Sequence, residues 1–328
     1  MDVRKDKQRK QAHLRGLVFS VLKGAFLWLA ATAVLFFLLE LLPGDAATNQ
    51  AGKSGEEAVL ALRREMGLDQ PLPLRYFSWL AGLATGNLGR TYVTHKPVLE
   101  VIARPVLSSL TVAGIVFAAL LLITLPAAVL CGYYKNFCTR CLNKLSVILA
   151  SIPEFILAFL ILILLALQWR LLPVLSTPGP GESVWNRPIS LAMPSLCLWL
   201  ICSVSIFRYL RVMIESYSRK SYVREARLAG LSRRRILFVH LLPSALSGMA
   251  QMLASSIPYL LGGSMIVETI TSFPGMGYTL ISAIQSRETL VVMALGGILI
   301  GFSLLFYHLA DQLGDPGARK GGDHATFR

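Results

Sequence analysis

Apolar residues gather into six blocks, at about 17–41, 107–132, 145–167, 189–212, 248–270 and 290–312. A helix needs about 20 such residues to cross the hydrocarbon layer of a bilayer. Each block is near that length, and in lipid a helix satisfies its backbone hydrogen bonds internally. The pattern predicts an all-α polytopic membrane protein with about six transmembrane helices. Lys23 interrupts the first block near its basic end, from which its ammonium reaches the interface.

The polar segments between the blocks differ in size and charge. With the N-terminus inside, 22 of the 32 lysines and arginines fall in or beside cytoplasmic segments and 10 in outside segments. Seven of those 10 lie in the long loop 43–106, where charge is a weak guide to orientation. The short segments favour both termini inside, which agrees with an even number of spans. The division is a basic tail at 1–16, a transmembrane region at 17–316 and a second tail at 317–328. Within the outside loop, Glu56 to Met66 has helical character, and Tyr76, Phe77 and Trp79 suit a membrane interface.

Composition sharpens this picture. The chain is 54% hydrophobic and 15% charged, against about 25% charged residues in soluble domains. Its net charge of +14 sits in segments between apolar blocks, which argues for topology rather than nucleic-acid binding. The basic start followed by an apolar stretch mimics a signal peptide, yet Leu17 to Leu42 exceeds the usual apolar core of about 7–15 residues. An uncleaved first span is expected. Of the five cysteines, Cys138 and Cys141 have CxxC spacing near Cys131, but the sequence offers no completion of a four-ligand zinc site. No metal site is expected.

The polar segment 213–247 carries the most information. Good helix formers from Ser221 run to Ala229, Gly230 interrupts them, and Ser232 is placed to cap a second helix. Pro243 marks a boundary before the next span. The expected form is a short helix, a sharp bend and a second short helix, able to act as a rigid lever against a partner.

This segment resembles the EAA loop of permease subunits of bacterial ATP-binding-cassette importers, in particular the dipeptide/oligopeptide/nickel class. Gly230, Leu242 and Pro243 match the family's spacing of a glycine before a Leu-Pro pair. The Glu-Ala-Ala positions fall on Arg224-Glu225-Ala226, so only the last matches, and His240 replaces a common isoleucine. Met66-Gly67-Leu68-Asp69-Gln70-Pro71-Leu72 and Gly86-Asn87-Leu88-Gly89-Arg90-Thr91-Tyr92 are similar to the family's first periplasmic loop. Gly262-Gly263, Val267-Glu268-Thr269 and Ser272-Phe273-Pro274-Gly275-Met276-Gly277 resemble its fifth span and following loop, and Asp315-Pro316-Gly317 stands where it ends in Asp-Pro-Arg.

The resemblance implies a type I importer permease fold in the bacterial inner membrane. It also implies an assembly with a second, related permease chain, two cytoplasmic ATPase subunits and a periplasmic or lipid-anchored binding protein. ATP and Mg would sit on the ATPase subunits, with no cofactor on this chain. Arg224, Glu225, Ala226, Arg227 and Gly230 would form the docking surface, with Leu242 and Pro243 fixing the return to the membrane. The cargo would be a peptide, or alternatively nickel, another metal chelate or another small solute; the sequence shows no His, Cys and carboxylate cluster, which leans towards peptides.

Ionisable groups inside spans are functional candidates because burying them is costly. Glu154, Gln251, Met252 and Glu268 are candidates for the translocation route, and Pro274, Gly275 and Gly277 for an outer gate or docking surface. Gly297 and Gly301 have the spacing of a close helix contact. Gly52-Lys53-Ser54 echoes a P-loop, but position 47 is alanine where the motif needs glycine. A membrane enzyme is disfavoured by the absence of HExxH, GxSxG or a paired acid and base, and a secondary transporter by the absence of an internal repeat.

Overall fold

The computed structural model describes residues 2–52, 55–177 and 184–314, with side chains from residue 19 onward. Lys53, Ser54, Asp315-Pro316-Gly317 and the tail 317–328 lie outside the described residues. The first helices are α1 (Asp2–Glu40), α2 (Ala46–Ala51), α3 (Glu56–Glu65), α4 (Leu72–Ala84) and α5 (Val98–Ala119). Then follow α6 (Leu125–Tyr133), α7 (Phe137–Ala150), α8 (Glu154–Leu162), α9 (Ile189–Ser218) and α10 (Ser221–Leu228). The last are α11 (Arg233–Arg235), α12 (Leu242–Gly262), α13 (Ser264–Ile270), α14 (Met276–Gln285) and α15 (Thr289–Gly314). Among the described residues the only extended pairing is an isolated bridge between Arg90 and Pro97.

Among the described residues five helical stretches are long and apolar enough to cross a membrane: Phe19–Glu40, Val98–Tyr133, Ile189–Ser218, Arg233–Ile270 and Thr289–Leu313. A sixth candidate is a bent pair, Phe137–Ala150 and Glu154–Gln168, meeting at 107°. The apolar pattern places one span over 145–167, whereas the chain turns there at Ser151, Ile152 and Pro153. Proline lacks an N–H and disfavours helix in the residue before it, so the first helix ends and Glu154 starts the second.

The chain packs as two units. One takes in the chain up to Ala103 together with Leu280–Leu305. Here α4 lies on α1. Tyr76 and Trp79 are buried, while Phe77 is exposed. Of the three aromatics, two therefore pack against the protein and one faces outward. The Tyr76 hydroxyl donates to the Leu29 carbonyl at 3.0 Å, and Trp79 stacks on Trp28. A buried ring of this kind keeps its polar tip hydrogen-bonded, as the Tyr76 hydroxyl does here. Arg75 forms a two-pronged pair with Glu40 at 2.7 and 2.9 Å. Gly297 and Gly301 face Trp28, whose indole donates to the Gly297 carbonyl at 2.8 Å.

Outside the spans of this unit, Asp45 caps α2 through the Thr48 N–H and pairs with Arg63 at 2.6 Å. The buried Glu288 carboxylate accepts the Tyr92 and Val93 N–H groups at 2.8 and 2.9 Å, tying loop to loop.

The other unit comprises Arg104–Thr279 and the chain from Phe306. Its densest packing joins α6 to α9. A methyl group at Gly132 would stand 2.7 Å from the Arg211 carbonyl oxygen and 2.8 Å from the Ile214 Cβ, so only glycine allows this approach. Among the described residues there are three π-helical segments: Leu120–Thr124 within a long helix, Ile163–Gln168 at the end of the helix that α8 begins, and Ile236–Leu241 within another long helix. The first and third lead directly into a Leu-Pro pair, Leu125-Pro126 and Leu242-Pro243. A proline ring collides with the carbonyl four residues back, and the wider π turn relieves that collision without ending the helix.

Candidate functional site

The polar loop begins with α10, whose apolar residues at i and i+3, Val223 and Ala226, are buried. They turn the helix onto α9 and the π-helical segment Ile236–Leu241. Arg224, Glu225, Arg227 and Leu228 therefore face outward, and Leu228 is 80% exposed. Ala226, assigned to the docking surface from the sequence, faces the protein's own interior. It seats the helix rather than presenting a contact. Leu228 had no signal in the sequence, because an apolar residue on a short helix is usually buried.

Helix α10 ends in a Schellman motif: Leu231 N–H donates to the Ala226 carbonyl at 3.2 Å and Gly230 N–H to that of Arg227 at 3.1 Å. Gly230 has φ +79°, a left-handed conformation that strains any residue with a Cβ. Ser232 then caps the following helix, its hydroxyl accepting the Arg235 N–H at 3.4 Å. That helix is not short. It belongs to a helical stretch of 38 residues, Arg233–Ile270, interrupted only by a one-residue turn at Gly263, and Pro243 lies within it rather than at its boundary. The preceding π segment is the reason the proline is tolerated. Leu241 is fully buried, Leu242 half-buried and Pro243 exposed.

A second constellation centres on Glu268, 1% exposed near the end of α13. Its carboxylate accepts the Ser109 hydroxyl at 2.6 Å, the Ser264 hydroxyl at 3.0 Å, and the Gly277 and Tyr278 N–H groups at 2.8 and 3.1 Å. The Ser109 oxygen also accepts the Met276 N–H at 2.7 Å. These N–H groups form the first turn of α14, where a carboxylate is favoured by unpaired donors and by the helix dipole. A Cβ at Gly275 or Gly277 would run into the carboxyl group or the Met265 backbone, so both glycines serve close approach. Pro274 is half-buried beside them.

The structure thus brings Glu268, Gly275 and Gly277 together and adds Ser109, 159 residues away, which the sequence had not singled out. Glu268 is a buried clamp for the 271–278 turn, not a wall of an open route. The same turn is braced by Ser176, whose N–H donates to the Thr271 carbonyl at 2.9 Å, and by the Thr177 hydroxyl on the Ser272 carbonyl.

The remaining candidates lie apart. Glu154 is exposed at the start of α8 and accepts the Tyr259 hydroxyl of α12. Gln251 and Met252 are half-buried on α12. Cys138 and Cys141 are exposed with free thiols, and among the described residues no three His, Cys, Asp or Glu side chains group as metal ligands.

Residues 124–319 match the family described as binding-protein-dependent transport system inner membrane component, and residues 13–113 match that system's N-terminal membrane-component family. A putative peptide permease protein of Brucella suis is 29% identical over 307 residues, covering 92% of this chain and 96% of the relative. The glutathione transport system permease protein GsiC of Salmonella choleraesuis is 31% identical over 283 residues, covering 84% and 89%. A probable peptide ABC transporter permease protein of Sinorhizobium fredii is 27% identical over 279 residues, again covering 84% and 89%.

Proposed function

The chain belongs to the family of inner membrane components of binding-protein-dependent transport systems, and from that premise we propose that it forms half of the peptide pathway of an ATP-driven importer. It is a multi-pass transport subunit rather than an enzyme. In this reading both termini are cytoplasmic, a related but distinct permease chain completes the pathway, and two ATPase subunits dock on the cytoplasmic side. ATP and Mg belong to those subunits. A periplasmic or lipid-anchored binding protein delivers the cargo. The peptide class is supported by relatives named as peptide and glutathione permeases.

The observation that carries the coupling mechanism is the form of the polar loop. Helix α10 is anchored inward by Val223 and Ala226 and presents Arg224, Glu225, Arg227 and Leu228 outward. Gly230 fixes its angle to a helical stretch that passes through Pro243 and, after a single turn residue at Gly263, reaches Ile270. At 1.5 Å per residue that helix is about 57 Å long, enough to carry a displacement from one face of a bilayer into its interior. Closure of the ATPase pair on ATP would push α10, and the long helix would move with it. ATP needs only to favour the outward-facing state by a few kcal/mol for the populations to exchange.

The test replaces Gly230 by valine in the complete assembly. A β-branched residue is a severe outlier at φ +79°, so the bend must open. Membrane insertion is expected to persist while ATP-driven peptide uptake falls at least about tenfold, which corresponds to about 1.4 kcal/mol of lost coupling. Wild-type uptake by that variant refutes the lever. The cargo class is checked by the affinity of the cognate binding protein for peptides.

A further inference from the structure

We infer that the cavity between α10 and the ends of α6 and α9 binds the phosphate of an anionic phospholipid headgroup. The cavity has a volume of about 790 Å³ and is lined by five cationic side chains, Lys135, Arg219, Arg224, Arg227 and Arg233, with no acidic residue in its wall. The nearest compensating charge is Glu215, which is already shared by Arg219 at 2.7 Å, Arg211 at 3.1 Å and Lys135 at 3.5 Å. Among the described residues Arg224, Arg227 and Arg233 pair with no carboxylate. Arg227 is held over the Tyr133 ring at 5.9 Å, which orients its guanidinium without neutralising it. Such a concentration of cations disfavours itself electrostatically unless an anion enters, and forked guanidinium donors match phosphate oxygens.

Position and surroundings favour a lipid over a free anion. Tyr133, Ser218 and Arg233 are terminal residues of three stretches long and apolar enough to cross a membrane, so the cavity lies at a polar end of the bundle, where headgroups are met. Phe137, two residues beyond Lys135, is 76% exposed, and Phe238, two beyond Ile236, is 64% exposed. Exposed apolar side chains beside a cationic face are the pattern of a surface that lies against the acyl–headgroup boundary. A phosphate in the cavity would bridge the end of α9 to Arg224 and Arg227 of α10, holding the coupling helix at a fixed height over the bilayer. The leaflet and the coupling role rest on the importer reading above; the phosphate site itself does not.

The experiment uses the full transporter with Lys135→Gln, Arg219→Gln and Arg233→Gln combined, beside a charge-conserving control, Lys135→Arg, Arg219→Lys and Arg233→Lys. Native mass spectrometry counts phosphatidylglycerol retained by the purified complexes, and uptake is measured in phosphatidylcholine vesicles with and without phosphatidylglycerol. The wild type and the control are expected to retain the lipid and to transport severalfold faster when it is present. The neutral variant is expected to lose at least one bound lipid and to transport at the same rate in both vesicles. Equal lipid retention by the neutral variant and the wild type overturns the proposal. So does displacement of the lipid's effect by millimolar inorganic phosphate, which would identify a free-anion site. Loss of ATPase subunits from the neutral variant with lipid retention unchanged also overturns it, in favour of an acidic segment of the ATPase. Failure of the importer reading would show separately, as uptake indifferent to ATP in every vesicle.

Discussion

Replacing Glu268 by alanine removes the acceptor of the Gly277 and Tyr278 N–H groups at the start of α14. The two serine donors are less exposed to this loss, because Ser264 also reaches the Leu261 carbonyl at 2.9 Å and a hydroxyl rotates to a new partner. Counting only the two backbone groups, each orphaned buried donor costs about 1–3 kcal/mol, so the first turn of α14 should weaken by about 2–6 kcal/mol. At 1.4 kcal/mol per tenfold, amide exchange at Gly277 and Tyr278 should accelerate by a factor of about 30 or more. Glutamine keeps one carbonyl oxygen facing those donors and turns its amide towards the serine oxygens. It should lose only the charge assistance, and exchange should rise by roughly tenfold or less. Hydrogen exchange followed by mass spectrometry on peptides covering 271–285 resolves the two cases. Wild-type protection of those amides in the alanine variant, or a glutamine variant as open as alanine, refutes the account of Glu268 as a clamp.

Three further outcomes follow from the packing. Gly132→Ala forces a methyl into the Arg211 carbonyl and Ile214, and should cost about 1–3 kcal/mol, read as a lower Tm of the purified subunit. Arg75→Met leaves the Glu40 carboxylate, 18% exposed, without its partner and should cost about 3–5 kcal/mol in the same assay; Arg75→Met with Glu40→Leu should recover most of it. Although burial alone would raise the Asp45 pKa, hydrogen bonds from Thr48 and the Arg63 guanidinium hold it below 3.8. Its share of stability is therefore complete above pH 3.8 and is lost as pH falls through the lowered native value. Pepsin cleavage within 45–65 should rise on that descent and lose this pH dependence in Asp45→Asn.

The sequence alone established that this is an all-α membrane protein and where its polar loop bends. Both follow from local physics: hydrocarbon thickness sets the length of each apolar run, and Gly230 with Ser232 writes a helix stop and a helix start into neighbouring residues. The same locality explains what the sequence could not show. Pro243 looks like a boundary, and only the π turn at Ile236–Leu241, created by packing of Ile236, Leu237 and Leu241, lets the helix pass through it. The block 145–167 has the composition of one span but breaks at Ile152-Pro153. Which face of α10 is buried depended on α9 and the π segment, which turn Ala226 inward and leave Leu228 exposed. Glu268 carries no local mark that separates a route-lining acid from a clamp. Its role was decided by Ser109, on another helix and 159 residues away in the chain, because a buried carboxylate takes its function from whichever donors the tertiary structure brings to it.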